Sequence, residues 1–511
     1  MEGNIQNHVS TRDRYGNTSF NTGLGEVPEY LQYKKKSIQN CVSAKKRVKQ
    51  DIVHKQNLTS GDVFNILINS QNWIDPQSLR IGFSFNLSAA PTTYGKFNDD
   101  CGINGMIKSV KVNGSGKNIE YIYNYNLLQK IQYSCSVSND WKQAQGGMLE
   151  GFGSYLTSTT AGLQSSSSNI KNGPSLMTAV DLASSNAYSI ALWTGMLGQC
   201  GRLLPNMLLK LGFDIELAPF LDFICVDNAV ALTYQVNNVY IVYDEYIVSD
   251  LYRQVFEEAV RTRGVSFDYN TVTNNQIISP ALTTSISANI NDSAKQLLSV
   301  YATIRPSDIA TATSTQVAAA GAAAAGAVTT GVTVATGTGL CTNLETIDGS
   351  KVTSCQLRLG TTNFPEFPIT KLTDMYQMSL QAMNRANSLQ LDMPLSYSKY
   401  MGASRCWWFG VDFENSKSSD NSQYSGINTS GHAIQFNVSL KDNTASLVDA
   451  GCLYQPINTG TAPAAGFPAL TRSNTAGSNG GNANTSFLVD FFLLHSRILS
   501  ISPTGGIVVD Y

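Results

Sequence analysis

From about residue 60 onward the sequence repeatedly alternates large apolar residues with small or polar ones. A period of two suits a β-strand with one buried face and does not suit a helix. In SLRIGFSFNLS the apolar positions are Leu79, Ile81, Phe83, Phe85 and Leu87. LKLGFDIEL sets Leu209, Leu211, Phe213, Ile215 and Leu217 against Lys210, Gly212, Asp214 and Glu216. CWWFGVDFE places Trp407, Phe409, Val411 and Phe413 on one face, and HAIQFNVSLK places Ile434, Phe436, Val438 and Leu440. Each pattern predicts a half-buried strand of an antiparallel sheet.

Turn and helix signals punctuate these strands. IKSVKVNGSGKNIEYI reads as a hairpin joined through Asn113-Gly114. Its GSGK is no phosphate loop, because Lys111 stands where the motif needs Gly and Asn118 where it needs Ser or Thr. Helices are expected at 123–133, at 249–264 with Ser249 or Asp250 as cap and Gly264 as stop, and at 373–386. In the last, Leu372, Tyr376, Leu380 and Met383 form one core-facing stripe.

The same order runs twice: alternating strand, paired strands, helix, further strand. Gly212, Asp214 and Glu216 in the first series match Gly410, Asp412 and Glu414 in the second. Two similar β-domains follow from that order. The expected divisions are a basic arm at 1–57, a first β-domain at 58–248, a connecting helix at 249–264 and a second β-domain at 265–511. The second carries an Ala/Gly-rich insertion at 306–352.

Composition supports long polar loops between strands. Only 14% of the 511 residues are charged, and Asn, Ser, Thr and Gly are abundant. Residues 1–56 nevertheless carry net +5, while the remainder carries −7. Lys34, Lys35, Lys36, Lys45, Lys46, Arg47 and Lys49 occur there without one intervening acid. An arm of this kind suits contact with nucleic acid or lipid headgroups, or it is simply a solvated terminus.

The run QVAAAGAAAAGAVTTGVTVATGTG at 316–339 is long enough for a membrane span, but Ala, Gly and Thr gain little on leaving water. Strands expected on both sides make it a loop insertion instead. The nine cysteines are scattered without a C-x-x-C pair, which disfavours a disulfide scaffold or a zinc ribbon. The first twenty residues are polar, so no signal peptide and a reducing compartment inside the producing cell are expected.

No enzyme emerges from the residues. A G-x-S-x-G elbow is absent, and His8, His54, His432 and His495 lack metal-ligand spacing. Of the carboxylate pairs a glycosidase would need, Asp222/Asp227, Asp244/Glu245 and Asp412/Glu414 are the candidates, and each reads as a surface or contact group. No catalytic, cofactor or metal residue is expected.

The chain resembles double-jelly-roll major capsid proteins of the lineage shared by tectiviruses, adenoviruses, virophages and polinton-like viruses. The resemblance rests on the basic N-terminal segment, LTSGDVFNILINSQNWIDPQSLRIGFSFNLS, SVKVNGSGKNIEYIYNYNLL, YQVNNVYIVYDEYIVSDLY and SFLVDFFLLHSRILSISPTGGIVVDY. It implies an all-β chain of two antiparallel eight-stranded jelly rolls in tandem, with a few short helices and long loop insertions. It further implies a homotrimeric, pseudo-hexagonal capsomer in an icosahedral virion, beside neighbouring capsomers, penton proteins and minor or cement proteins. The basic arm would then lie inside, against packaged DNA or an inner membrane. A lectin-like or receptor-binding β-protein of a virus surface is the competing reading, motivated by CWWFG and the Asn-rich loops. Alternation places Trp408 outside the core, at an inter-domain or inter-subunit surface. Deletion of residues 1–50 is expected to leave a folded trimer.

Overall fold

A computed structural model describes residues 11–12, 18–19, 42–52, 57–87, 95–98, 100–152, 186–198, 203–226, 233–280, 284–290, 292–306, 344, 346–347, 349–383, 395, 400, 406–414, 426–441, 487–503 and 506–510. The Ala/Gly run and Lys34, Lys35 and Lys36 fall outside them.

Among the described residues, eight strands form the two main sheets of the first domain: β1 Val42–Asp51, β2 Val63–Leu67, β3 Trp73–Leu87, β4 Ile107–Gly114, β5 Lys117–Ile122, β6 Asn186–Ala191, β7 Leu211–Leu217 and β8 Tyr234–Val248. Helix α1, Tyr125–Ser136, follows β5. One sheet runs β1–β8–β3–β6 and the other β2–β7–β4–β5, every pair antiparallel. This is the strand order of a jelly roll.

Helix α2, Asp250–Arg263, connects to a second set. Its strands are β9 Val265–Ser279, β10 Ser285–Ile290, β11 Leu297–Pro306, β12 Val352–Leu359, β13 Thr362–Ile369, β14 Phe409–Asp412, β15 Ile434–Leu440 and β16 Phe487–Ile501. Helix α3, Leu372–Ala382, follows β13 as α1 follows β5. The sheets run β9–β16–β11–β14 and β10–β15–β12–β13, and a short β17, Ile507–Asp510, adds to β16. Numbered within each domain, both rolls pair first–eighth–third–sixth and second–seventh–fourth–fifth. The two domains are the same jelly roll built twice.

The predicted alternation becomes the core. Leu79, Ile81, Phe83 and Phe85 on β3 and Ile434, Phe436, Val438 and Leu440 on β15 are buried, within one apolar cluster that includes both rolls. Each such side chain contributes about 1.5–3 kcal/mol on leaving water.

Three expectations need correction. Residues 42–51 are not part of a free arm but form β1, paired with β8 from Tyr240↔Asp51 to Val248↔Val42. The hairpin turns at Ser115-Gly116, not Asn113-Gly114: Gly114 pairs with Lys117, and both turn residues have positive φ, 46° and 80°. That left-handed pair matches the twist of the flanking strands. The Gly-Asp-Glu match is coincidental, because Gly212, Asp214 and Glu216 lie on a seventh strand while Gly410 and Asp412 lie on a sixth strand, in the other type of sheet.

Candidate inter-domain and assembly sites

The two rolls meet where β5 and Gly195–Gly198 of the first lie against β9 of the second, with Asn124, just ahead of α1, reaching Asp490 on β16. Tyr269 donates its hydroxyl to the Ile119 carbonyl at 3.0 Å, and Lys117 Nζ reaches the Ile507 carbonyl at 2.6 Å. Gly195 permits the closest approach: a Cβ there would sit 1.5 Å from the Asn270 carbonyl oxygen.

Two carboxylates are sealed into this seam. Glu120 is fully buried and accepts hydrogen bonds from Thr271 Oγ1 at 2.6 Å, Gly195 N at 3.0 Å and Met196 N at 3.3 Å. Burial pushes its carboxyl upward, and these donors oppose the shift. Asp490, also fully buried, accepts from Arg305 Nε at 2.7 Å, Gln276 Nε2 at 2.7 Å and Asn124 Nδ2 at 3.0 Å. Asn124 leads into α1 in a left-handed conformation, so the start of that helix is tied to the other domain. Lys130, buried on α1, donates to the Leu344 carbonyl at 3.2 Å.

The basic strand β1 is an edge of its sheet among the described strands. Lys45, Arg47 and Lys49 share its outward face with acidic and aromatic neighbours from β8. Lys45 Nζ lies 2.8 Å from Asp244, and Arg47 Nη1 lies 3.7 Å from it. Lys49 stands 4.1 Å from the Tyr240 ring centroid and 3.5 Å from Asp51. The hydrogen bond to Asp244 raises the Lys45 pKa. Lys46 is exposed on the alternate side. Part of the charge read as an unneutralised arm is therefore answered within the chain.

Trp408 is not a surface residue. Trp407 and Trp408 are both fully buried, because α3 covers the outer side of β14. The Trp408 carbonyl accepts from Ser379 Oγ of α3 at 3.0 Å and Tyr400 Oη at 2.7 Å, and its ring meets Tyr301 edge-on at 5.8 Å. A tryptophan enclosed by its own chain offers nothing to a neighbouring subunit.

Four carboxylates of these pairs accept bonds elsewhere. Glu245 accepts from Ser70 Oγ at 2.5 Å and Asn72 Nδ2 at 2.8 Å, Asp244 holds β1, and Asp412 accepts the Glu414 amide at 3.0 Å. Asp222 accepts from Asn126, and Asp227 lies outside the described residues. His432 is exposed at a turn. His495 is buried, with Nε2 accepting from Arg497 Nε at 2.9 Å, and burial together with that guanidinium holds its pKa down to about 4. Among the described residues no group of three His, Cys, Asp or Glu side chains is placed to hold a metal ion. No described helix is long and apolar enough to cross a membrane.

No protein-family model matches the sequence, and no curated protein matches it. Solved structures do match, over nearly the whole chain. The capsid of PBCV-1 virus aligns with a TM-score of 0.53 at 14% identity, over 94% of this chain and 100% of that one. The Sputnik virophage structure aligns at 0.54 and 9% identity, covering 95% and 92%. The chain has the double-jelly-roll fold. The major capsid protein of Faustovirus aligns at 0.50 and 8% identity, covering 92% of each chain. Both rolls of the tandem are thus accounted for in one alignment.

Proposed function

We propose that this chain is the major structural subunit of an icosahedral viral shell, assembling as homotrimers of pseudo-hexagonal outline. The observation that carries the reading is a repeated fold left half covered. Helix α1 has ten of its twelve residues buried, packed on its own roll at Ile103–Met106 and β4 and tied to the second roll through Lys130. Its counterpart α3 has only three of eleven buried and leaves Tyr376, Met378, Leu380 and Met383 partly exposed. A second copy, offering its first roll to this second roll, would repeat the contact already made within the chain. Three copies and six rolls close such a ring.

The likeness to proteins described as virus capsid and major capsid protein supports the same reading. In the shell these capsomers would abut one another, with penton and minor or cement proteins completing it. The basic residues would face inward: Lys34, Lys35 and Lys36 ahead of β1, with Lys45, Lys46, Arg47 and Lys49 on it. There they would meet packaged DNA or anionic lipid. Native mass spectrometry of the purified full chain tests the assembly. A trimer is expected, and a stable monomer under assembly conditions would overturn it.

A further inference from the structure

Of the fourteen residues of α2, Val260 alone is buried. The helix is held on the first roll through Tyr252 and Phe256, whose rings lie 6.1 and 5.3 Å from that of Trp73 on β3. Beside this anchor Leu251, Val255 and Ala259 follow one another at i, i+4 and i+8, and all three are exposed. Leu251 is 74% and Val255 61% open to solvent. A helix of this length is marginal in water without packing along an apolar face, so a continuous stripe left bare asks for a cover.

The chain entering β1 arrives beside this helix. β1 runs antiparallel to β8, and its first residue, Val42, pairs with Val248, two residues before α2 begins at Asp250. The residues ahead of Val42 therefore leave the sheet on the side where β8 passes into α2. Residues 20–41 lie outside those described. Among them Tyr30, Leu31 and Tyr33 set three large side chains within four positions. Residues 34–41 can span about 26 Å when extended, which exceeds the roughly 21 Å length of α2.

Charge gives the contact a direction. Residues 20–33 contain Glu26 and Glu29 and no Lys or Arg. α2 ends on exposed Arg261 and Arg263, the first of them 3.8 Å from Glu258. With Tyr33 beside Leu251, Glu26 can lie up to about 23 Å along the helix, and Arg263 stands about 18 Å along it. In the opposite direction the two glutamates would meet Asp250. An anionic lipid surface gains nothing here, because Asp250, Glu257 and Glu258 balance Arg253, Arg261 and Arg263.

We propose that residues 26–33 dock along α2 of their own chain. Tyr30, Leu31 and Tyr33 cover the stripe of Leu251, Val255 and Ala259, and Glu26 and Glu29 lie beside Arg261 and Arg263. A tethered segment has an effective concentration on the order of millimolar, so a contact of modest strength suffices. Lys34, Lys35 and Lys36 fall in the connection to β1, clear of the contact. The inference is independent of the shell reading and stands or falls separately.

The test is hydrogen exchange of the full chain, read by mass spectrometry along α2. Tyr30→Ser, Leu31→Ser and Tyr33→Ser together keep the length of the segment and remove its apolar contacts. Amides of residues 255–263 should then exchange at least about tenfold faster than in wild type, with β8 and β9 unchanged. Leu251→Ser with Val255→Ser, both at exposed positions, makes the reciprocal test: chymotrypsin should now cut rapidly after Tyr30, Leu31 or Tyr33. An equal mixture of wild type and the triple variant identifies whose segment covers which helix, and the variant's α2 should stay fast in it. Equal exchange of α2 in wild type and triple variant, or unchanged cleavage in the double variant, would overturn the proposal. So would slowing of the variant's α2 in the mixture, which assigns the cover to a neighbouring copy. Protection of α2 that appears only with vesicles of phosphatidylcholine and phosphatidylglycerol would overturn it in favour of lipid.

Discussion

The two jelly rolls share one strand order and differ in what covers them. In the first, α1 is enclosed and carries fully buried Gln129 and Lys130. In the second, the equivalent α3 lies half open. The first strands differ the other way. β9 has Tyr269, Thr271 and Val272 buried, and Tyr269 and Thr271 bond across the seam to the first roll, whereas β1 is a largely exposed basic edge. The difference between the first strands follows position in the tandem, because β9 lies against β5 and Gly195–Gly198 of the first roll, whereas β1 pairs only with β8 among the described strands.

If β1 is a true counterpart of β9, removing it should be the most damaging change available. Deletion of residues 1–50 takes away the strand paired along β8 and exposes that strand's backbone edge. We expect aggregated or unfolded protein, while deletion of residues 1–40 leaves a normal circular dichroism spectrum. Equal solubility of both truncations would show β1 to be dispensable and the first roll to be complete without it.

The next test uses aspartates on the eighth strand of each roll. Asp490→Ala leaves the Arg305 guanidinium buried without its carboxylate, a loss of about 3–5 kcal/mol. Asp244→Ala frees Lys45 and Arg47 to solvent, since both are more than half exposed, and should shift the urea midpoint far less. Similar shifts for the two would mean that the seam around Asp490 is wet.

Leu380→Arg on α3 addresses the uncovered helix directly. It should leave the monomer folded and weaken trimer association by about 2 kcal/mol, read as a roughly thirtyfold higher dissociation concentration. Unchanged association by analytical ultracentrifugation would place the subunit contact elsewhere.

Much of this architecture is legible in the sequence because strands with one dry face write their period into it. Leu79 to Leu87 and Ile434 to Leu440 are read correctly from spacing alone. β1 escapes because its outward positions are Lys45, Arg47 and Lys49 and its inward ones include the small Ala44, so its apolar signal is weak beside its charge. Trp408 is misplaced because alternation knows two faces of a strand but not the helix that returns to cover the outer one. Glu120 and Asp490 look like ordinary polar positions, since no local pattern announces that another domain will close over them. Long-range burial is what the sequence leaves unwritten.

Glu120 offers the smallest and most specific check on that burial. Its folded-state pKa is raised above the ordinary 4.5, chiefly by desolvation. Between 4.5 and the raised value the native chain holds a proton that the unfolded chain has released, so stability falls as pH rises through this window. Above the raised value the penalty is complete. Glu120→Gln is neutral throughout and lacks this slope. Urea unfolding of both proteins from pH 4 upward should therefore show wild type gaining on the variant as pH falls, by at most about 1.4 kcal/mol per unit inside the window. Glu150 is displaced in the same direction but lies within the first roll, bonded to Arg80, Tyr133 and Asn104, and contributes equally to both curves. Parallel curves would mean that water reaches Glu120. The seam would then be open in solution, and the contrast between an enclosed α1 and an exposed α3 would belong to the assembled shell instead of the single chain.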